Sequence, residues 1–374
     1  MAGKAFRDRL EALLAQADVR IGGDRPWDIR VLNEALYPRL AASGSLGAGE
    51  SYMDGWWECE RLDEMICRVL RVRLDRQLRP VRDIWLALRA RLWNLQHRGR
   101  AFQVGRQHYD LGFDLFQAML DRRMIYSCGY WRRAQDLDEA QEHKLDLIAR
   151  KLALSEGMRV LDIGCGWGGA LCYFAERYGI SGVGITVSRD QYDRARQLCA
   201  GQPLEIRLQD YRELDGRFDR IFSIGMFEHV GYRNYRRYFE IVRRCLKDGG
   251  LFLLHTIGGR VSRTRTDPWI DRYIFPNGML PSARQITTAA ERLLCLEDWH
   301  NFPQDYDRTL LAWHENFMSA WDDLRAAYDE RFRRMWRYYL LSCAGSFRAG
   351  VNQLWQIVFS RDGLPGGYRA VDIR

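Results

Sequence analysis

The chain has 374 residues, of which 57 are Lys or Arg and 49 are Asp or Glu, giving a formal net charge of +8. The length predicts one large or two unequal domains, and a hydrophobic fraction of 47% is ample for a packed core. The modest positive excess suits an anionic partner, but 13 Trp residues argue against a nucleic-acid binder that relies on charge alone. They favour a protein that shelters an apolar substrate or touches a lipid interface.

Nine cysteines occur at irregular spacing with no C-x-x-C pair. We therefore expect reduced thiols, without a disulfide framework or a zinc site or any other metal. The first residues show no apolar leader, and no stretch approaches the ~18–20 apolar residues that a spanning helix needs. Any membrane contact is expected to be peripheral.

Residues 1–100 are predicted to form a small, mainly helical N-terminal domain. Residues 6–14 have helical periodicity, and 45–57 read as a turn-rich aromatic insertion. Residues 71–100 interleave arginines with apolar residues at helical spacing, which predicts an amphipathic helix with a cationic face. Two interpretations stay open for this helix: a solvated surface helix packed on the core, or an interfacial helix that meets anionic lipid head groups.

Residues 101–156 are interpreted as a bridge that ends in an amphipathic helix over 138–152. Strands and helices then alternate, which predicts a parallel sheet with helices on both faces. The predicted strands are 159–163, 181–186, 204–208, 218–225 and 250–256, and the predicted helices are 169–178, 189–200 and 232–246.

The last third of the chain has less regular patterning. Residues 257–310 lack simple periodicity and are rich in Gly, Pro and aromatics, which is typical of a segment that covers a site. A helical tail is predicted over 311–348, and a closing strand over 355–360.

The most informative stretch is VLDIGCGWGG at residues 160–169, an apolar strand that enters a glycine-dense turn before a helix. Its third glycine is mis-spaced for the dinucleotide motif G-x-G-x-x-G. The pattern resembles motif I of class I S-adenosylmethionine (SAM)-dependent methyltransferases. That resemblance places Asp162 beside the turn and Gly164, Gly166 and Gly168 against the methionine part of the ligand; a glycine turn without a ligand is the alternative.

The remaining cofactor contacts are expected at the carboxyl ends of the next strands. Many methyltransferases have an acidic residue after the second strand, whereas this chain has Thr186, with Gln191 one turn into the next helix. Both can hydrogen-bond a ribose hydroxyl. Gln209 and Asp210 follow the third strand and are expected to hold the adenine edge, although Asp210 could merely cap a turn.

Four further segments carry a narrower resemblance. They are MIYSCGYW at 124–131, GMFEHVG at 225–231, LLHTIG at 253–258 and YIFPNG at 273–278. Together they resemble the family of cyclopropane-fatty-acyl-phospholipid synthases, which includes the mycolic acid cyclopropane synthases, over nearly the whole chain. The resemblance implies a class I SAM-dependent methyltransferase (Rossmann-like) α/β domain at 101–374 and a smaller, lipid-associated helical domain at 1–100.

The family reaction implies a set of site residues. The sulfonium of SAM donates a methyl to a cis double bond of an acyl chain, a carbocation forms, and a base takes a proton so that the ring closes. The family uses a bicarbonate ion as that base. The resemblance assigns catalytic roles to Cys128, Glu228, His255 and Tyr306, bicarbonate contacts to the same four with Ile257, and further cofactor contacts to Tyr126 and Ser127.

Each catalytic residue also has an ordinary interpretation: a buried small thiol for Cys128, a core histidine for His255, a helix-start carboxylate for Glu228 and a loop aromatic for Tyr306. The chain departs from the family at two positions. Phe113 stands where Asn is common, and His314 stands where the bacterial enzyme tends to have an aromatic.

Cyclopropane ring formation on unsaturated phospholipid acyl chains is the leading functional hypothesis. It implies a homodimer on the inner membrane surface, peripheral to the bilayer on the cytoplasmic side, with anionic lipid and no nucleic acid as partner. Two alternatives stay open: simple methyl transfer to a nucleophilic acceptor, and a non-enzymatic lipid- or nucleic-acid-binding protein that kept the fold.

Overall fold

The computed structural model describes residues 2–74 and 112–372. The helices, in chain order, are α1 (Ala2–Gln16), α2 (Leu36–Met53), α3 (Leu62–Arg71), α4 (Phe113–Met119), α5 (Leu137–Lys151), α6 (Gly169–Tyr178), α7 (Arg189–Leu198), α8 (Tyr235–Cys245), α9 (Pro268–Tyr273), α10 (Ala283–Ala290), α11 (Pro303–Ser319), α12 (Trp321–Leu324) and α13 (Glu330–Arg348). The strands are β1 (Arg30–Val31), β2 (Trp57–Glu58), β3 (Arg159–Ile163), β4 (Ser181–Thr186), β5 (Leu204–Leu208), β6 (Phe218–Ile224), β7 (Leu246–Gly259), β8 (Cys295–Asn301) and β9 (Asn352–Ser360).

The described chain divides into two compact units that interleave along the sequence. The first contains residues 2–74, 265–276 and 306–352, and the second contains 112–264, 277–305 and 353–372. Three predicted features lie outside the described residues. They are the domain boundary at residue 100, the first residues of the bridge, and all but the start of the amphipathic helix at 71–100. The boundary and the helix stay predictions.

The first unit is a helical assembly in which α13 packs against α3 and α2. The contact with α3 is close because a Cβ on Gly345 would lie 2.4 Å from the backbone oxygen of Asp63. The Arg348 guanidinium joins these elements to α11 by pairing with Asp63 at 2.6 Å and Asp307 at 2.8 Å. Helices from the C-terminal part of the chain thus complete the same core as the N-terminal helices.

Two sequence predictions are wrong in this part of the chain. The segment at 45–57 is not an insertion of turns, because α2 runs through most of it. The helix has one break at Gly44 (φ 54°, ψ −129°), just before this segment. The irregular region at 257–310 contains α9, α10 and β8. The predicted helical tail at 311–348 is confirmed as α11, α12 and α13. Caps explain two of these helix starts: Asp267 accepts from the N–H groups of the first turn of α9, and Ser282 forms a capping box with Gln285 in α10.

The second unit is built on a seven-stranded sheet with the order β5-β4-β3-β6-β7-β9-β8. The pairs β5–β4, β4–β3, β3–β6 and β6–β7 are parallel. The five strands that the alternation predicted are therefore parallel, as expected. β8 and β9 pair antiparallel, so the sheet as a whole is mixed. The chain between β8 and β9 contains α11, α12 and α13, so this antiparallel pair is not a hairpin.

Helices cover both faces of this sheet, as predicted. Adjacent strand residues enter different cores: Leu161 belongs to a cluster with α8 and α10, whereas Val160 belongs to a cluster with α5, α6 and α7. This alternation follows from the two-residue period of a strand. Because both faces are buried, β7 contains a continuous apolar run at residues 251–254.

The cysteines differ from expectation at one place. Cys172 of α6 and Cys199, which follows α7, form a disulfide with Cα atoms 5.8 Å apart. The expectation of nine reduced thiols is therefore wrong for this pair, because the packing of α6 beside α7 brings together residues 27 positions apart. Within residues 2–74 and 112–372, no helix combines the length and apolar character needed to cross a bilayer.

Candidate active site

The glycine turn after β3 is tightly fixed. The backbone N–H groups of Gly164 and Cys165 both donate to the carbonyl of Ile185 in β4, at 3.0 and 2.9 Å. A Cβ on Gly169 would lie 1.9 Å from the carbonyl oxygen of Arg123, so only glycine permits this approach. Gly166, at φ +56°, has no atom within 4 Å of its would-be Cβ, so the turn is open at this residue.

Asp162 lies in β3 directly before this turn and is buried. Its Oδ1 has no hydrogen-bond partner among the residues that the structure describes. Burial raises the pKa of the Asp162 carboxyl well above its ordinary value, and the Lys144 ammonium opposes that shift. A buried polar atom without a partner is costly, so this oxygen is suited to a ligand.

The uncharged pair predicted after β4 is formed. The Thr186 hydroxyl donates to Oε1 of Gln191 at 2.7 Å, and both side chains are buried. Ser188 caps α7 by accepting from the N–H of Gln191 and donates its own N–H to Thr186 Oγ1. The structure therefore fixes Thr186 and Gln191 side by side at the carboxyl end of β4.

The residues after β5 also have local partners. The Asp210 carboxylate caps the 3-10 turn Tyr211–Glu213 by accepting from the Arg212 N–H, and it pairs with the Arg212 guanidinium at 2.8 Å. Gln209 donates to the carbonyl of Glu213 at 2.8 Å. The capping interpretation of Asp210 thus holds, and the adenine contact stays a prediction.

The segment with Tyr126 and Ser127 is held by α5. Gln141 donates through Nε2 to the carbonyls of Ile125 and Ser127, at 3.2 and 2.8 Å. The Lys144 ammonium donates to Ser127 Oγ at 2.9 Å, and both side chains are buried. The Tyr126 ring packs edge-on against Phe116 with centroids 5.2 Å apart.

Phe113, the departure from the family pattern, begins α4. Its ring packs edge-on against Trp167 of the glycine turn, with centroids 6.2 Å apart. The guanidinium carbon of Arg194 lies 3.6 Å from the centroid of the Phe113 ring. An aromatic at this position therefore packs over the glycine turn.

Glu228 lies in the 3-10 turn Phe227–His229 that follows β6. Its Oε1 accepts a hydrogen bond from the backbone N–H of Ile257 at 2.7 Å, which brings two of the predicted bicarbonate contacts together. Its Oε2 is buried and has no hydrogen-bond partner within the described part of the chain. Burial raises the pKa of Glu228 to about 7, against its bond from Ile257.

His255 lies in β7, two residues before Ile257, and is almost fully buried. The amide Nε2 of Gln356 in β9 lies 3.3 Å from its Nδ1. With the amide nitrogen as the donor, Nδ1 accepts, which predicts that the ring proton is on Nε2. Burial, with the nearby Lys144, Lys151 and His300, lowers the pKa of His255 far below its ordinary value, so the ring is neutral. Nε2 has no protein partner in the described ranges.

The last two predicted catalytic residues, Cys128 and Tyr306, have their own local contacts. Cys128 is fully buried, and its thiol donates to the carbonyl of Gly129 at 3.1 Å. The Lys144 ammonium interacts electrostatically with both Cys128 and His255. Tyr306 belongs to the first unit, where its ring stacks on Phe347 with centroids 4.6 Å apart.

Comparison with known proteins identifies the family. The model of the family described as mycolic acid cyclopropane synthetase matches residues 96–357. The chain belongs to the mycolic acid cyclopropane synthetase family. The cyclopropane-fatty-acyl-phospholipid synthase of Escherichia coli (strain K12) is 54% identical over 358 residues, covering 96% of this chain and 94% of that protein.

Solved structures of the same family agree with this assignment. The cyclopropane synthase MmaA2 from Mycobacterium tuberculosis is 30% identical with a TM-score of 0.66, covering 72% of this chain and all of that one. The mycolic acid cyclopropane synthase CmaA1, complexed with SAH and CTAB, is 32% identical with a TM-score of 0.65, covering 70% of this chain and 98% of that one. The predicted class I SAM-dependent methyltransferase fold and the predicted enzyme family are confirmed.

The described residues fit a bound SAM. The glycine turn is open at Gly166, Asp162 Oδ1 is buried without a partner in the described residues, and the Thr186–Gln191 pair offers uncharged hydrogen-bonding groups. All of these stand at the carboxyl ends of adjacent parallel strands, β3 and β4, where open α/β sheets bind ligands.

Two residues of this region were missed by the sequence analysis. Gln356 is a buried polar residue inside an otherwise apolar strand, and Lys144 is a buried cation within α5. A polar residue on an apolar face is the signal that could have found them, because such a group is retained only with a partner. The sequence could not identify the partners, which lie 101 and 17 residues away.

Proposed function

We propose that the chain transfers a methylene group from SAM to cis double bonds of unsaturated phospholipid acyl chains and so forms cyclopropane fatty acids. The observation that carries this proposal is the pair of buried polar atoms, Glu228 Oε2 and His255 Nε2, that lack protein partners among the described residues. Simple methyl transfer to a nucleophile needs no such pair, whereas ring closure needs a group that takes a proton from carbon.

The cofactor is assigned to the turn after β3 and the polar residues that follow the neighbouring strands. When bound, SAM supplies an electrophilic methyl group on its sulfonium. The residues proposed to hold it are Tyr126, Ser127, Asp162, Gly164, Gly166, Gly168, Thr186, Gln191, Gln209 and Asp210.

Water exclusion is the first task of the protein in this reaction. An alkene is a poor nucleophile, and a cationic reaction centre would be quenched by water. The groups assigned to the site are correspondingly buried: Cys128 is fully buried, and Glu228 and His255 are nearly so. Aromatic side chains can stabilise a passing positive charge through their faces.

A bicarbonate ion fits the proton chemistry of the described groups. The neutral His255 ring presents an N–H at Nε2, and the raised pKa of about 7 lets Glu228 carry a proton near neutral pH. Two such donors suit an oxyanion. We assign the ion to Cys128, Glu228, His255, Ile257 and the Tyr306 hydroxyl, where it would supply a base for the proton lost from carbon.

The site of action is proposed to be an anionic phospholipid surface that the chain contacts peripherally from the cytoplasm, as a homodimer. Residues 1–100 are proposed to be the lipid-associated part. Arg71 and Arg73 are exposed at the start of the predicted cationic helix. Each basic residue near such a surface contributes about 1 kcal/mol, so reversing both charges is expected to weaken sedimentation with anionic vesicles at low salt.

The decisive experiment is turnover of unsaturated phospholipid vesicles with methyl-labelled SAM. Lipid mass spectrometry is expected to show one added CH₂ per double bond, and proton NMR of the extracted esters is expected to show the high-field signals of a cyclopropane ring. An added methyl branch without ring signals would instead favour the methyl-transfer alternative. Vesicles of fully saturated lipid are the control.

The bicarbonate assignment has its own test in the same assay. Turnover is expected to rise with bicarbonate in degassed buffer, and Glu228→Gln, Cys128→Ser, His255→Gln and Tyr306→Phe are each expected to slow it. Pairs of these changes should be far from additive, because one lost contact already displaces the ion. Additive losses without a bicarbonate response would remove the ion from the proposal.

A further inference from the structure

Lys144 is a buried cation whose contact lies in the reaction site. It stands on α5, is fully buried, and donates from Nζ to Ser127 Oγ at 2.9 Å. Gln141, one turn earlier on the same helix, donates to the carbonyl of Ser127 at 2.8 Å. One face of α5 therefore holds Ser127 at both its side chain and its backbone, between Tyr126 and Cys128.

Groups from four other parts of the second unit interact electrostatically with the Lys144 ammonium. Asp121, which follows α4, and Asp162 of β3 attract it, and so does Cys128. His255 of β7 also lies within its electrostatic reach. The Asp121 carboxylate is itself fixed, because it accepts from the N–H groups of Ile125 and Arg123 at 2.9 Å. A positive charge is thus held among groups that the site uses.

Lys151 shows what an ordinary buried lysine looks like on the same helix. It lies seven residues later on the same face and is equally buried, but it pairs with the carboxylate of Asp298 at 3.1 Å. Such an ion pair satisfies both charges locally. The hydrogen bond of Lys144 to a hydroxyl, among groups of the site, is not explained as a simple ion pair.

We propose that Lys144 is a positioning residue of the reaction site: its ammonium fixes Ser127, and with it Tyr126 and Cys128, and supplies the positive charge against which the site's anion is held. This inference rests on the proposed function for the identity of the anion. The positioning of Ser127 rests on the described contacts alone.

Three variants separate the parts of this role. Lys144→Met removes the charge and the donor at similar volume, Lys144→Arg keeps the charge, and Ser127→Ala removes only the acceptor. Leu145→Ala is the control, because Leu145 is the fully buried apolar neighbour on α5 and its truncation destabilises the same helix. Turnover is compared at equal folded fraction, measured by thermal unfolding.

We expect Lys144→Met to lower turnover about 100-fold, as small misplacements of reacting groups do, and to weaken SAH binding in calorimetry about tenfold. Ser127→Ala should weaken SAH binding in the same direction, and the double variant should lose no more than Lys144→Met alone. Leu145→Ala should lower the melting temperature but leave both quantities within about twofold of wild type.

The pH profile gives a measurement that a merely structural role would not move. Burial lowers the pKa of Lys144 to about 8, with Asp121, Cys128 and Asp162 opposing that shift. Loss of its charge should therefore reduce wild-type turnover as the pH rises through about 8, in addition to the fall that deprotonation of Glu228 causes near 7. In Lys144→Arg the loss should move upward by at least about one pH unit, since a guanidinium keeps its proton.

Two results would overturn the inference. One is a well-folded Lys144→Met with turnover and SAH affinity within about threefold of wild type. The other is a fall in turnover near pH 8 that occurs at the same pH in Lys144→Arg as in wild type. If Lys144→Met fails to fold, Lys144→Arg and Ser127→Ala decide between these outcomes. A wild-type chain that makes no ring product would remove the proposed function alone. The SAH titrations of the same variants need no lipid and would still test the positioning of Ser127.

Discussion

The Glu228 carboxylate accepts a hydrogen bond from the backbone N–H of Ile257 at 2.7 Å, which ties the turn after β6 to the end of β7. The second carboxylate oxygen is buried without a partner in the described residues. One oxygen is therefore fixed by the fold, and the other is available to a ligand. Because burial raises the pKa of this group to about 7, its protonation state changes within the physiological range.

This raised pKa makes folding stability depend on pH in a definite direction. A carboxyl that is harder to ionise when folded contributes stability below its ordinary pKa of 4.5 and loses that contribution as the pH rises through about 7. Glu228→Gln is neutral throughout. The unfolding free energy of the variant relative to wild type should thus increase by up to about 3 kcal/mol between about pH 5 and pH 8.

Denaturant unfolding at several pH values measures this difference. Glu291→Gln is the matched control, because Glu291 is exposed and its change should leave the pH dependence as in wild type. A difference between wild type and Glu228→Gln that stays constant from about pH 5 to pH 8 would show that Glu228 ionises at its ordinary pKa.

Gly166→Val tests the glycine turn. The residue has φ +56° and open space where a Cβ would lie, so a valine would strain the backbone by about 1–2 kcal/mol and occupy the ligand's volume. We expect SAH affinity in calorimetry to fall at least about 100-fold in a protein that still folds. Gly201→Val is the control, since Gly201 also has a positive φ (+81°) and open space around its would-be Cβ. Wild-type SAH affinity in Gly166→Val would reject the assignment of the glycine turn to the cofactor.

Thr186→Val tests the uncharged pair after β4. The change keeps the side-chain shape but removes the hydroxyl that donates to Gln191 Oε1 at 2.7 Å, leaving a buried carbonyl without its donor. We expect SAH binding to weaken about tenfold. Thr287→Val makes the same replacement at an exposed position on α10 and should bind SAH as wild type does. Equal SAH affinities in the two variants would show that Thr186 does not contribute to ligand binding.

The sequence predicted the centre of the fold better than its edges. The bounds of β3, β4 and β5 agree with prediction. β5, with the sequence LEIRL, alternates apolar and charged residues, which is the period of a strand. α2 was missed because Gly44, Gly47 and Gly49 are typical of turns. The structure shows a packing reason at Gly49, where a Cβ would lie 2.3 Å from the Trp269 ring. β8 was missed because its sequence, CLEDWHN, has no apolar alternation.

The site was predictable where it depends on position along one strand and unpredictable where it depends on distant partners. Thr186 and Gln191 were expected together, since a helix start follows a strand end within one turn. The contact between His255 and Gln356 depends on which strand lies beside β7, and the alternation pattern does not fix that order. Cys128, Glu228 and His255 likewise come from separate segments, and only the family resemblance joined them.

The protonation state of His255 is the last prediction. With Gln356 Nε2 donating to Nδ1, the ring should be neutral with its proton on Nε2, and it should not titrate between about pH 5 and pH 8. ¹⁵N NMR of the ring nitrogens distinguishes the two tautomers, and the spectrum of His255→Gln identifies the signal.

Gln356→Leu removes the donor, so the tautomer preference should weaken and turnover should fall about tenfold. Gln353→Glu is the control, because it lies on the same strand but three residues away, on the opposite face. A proton on Nδ1 in wild type, or titration near the ordinary pKa of 6.5, would mean that His255 does not present a donor to the proposed anion.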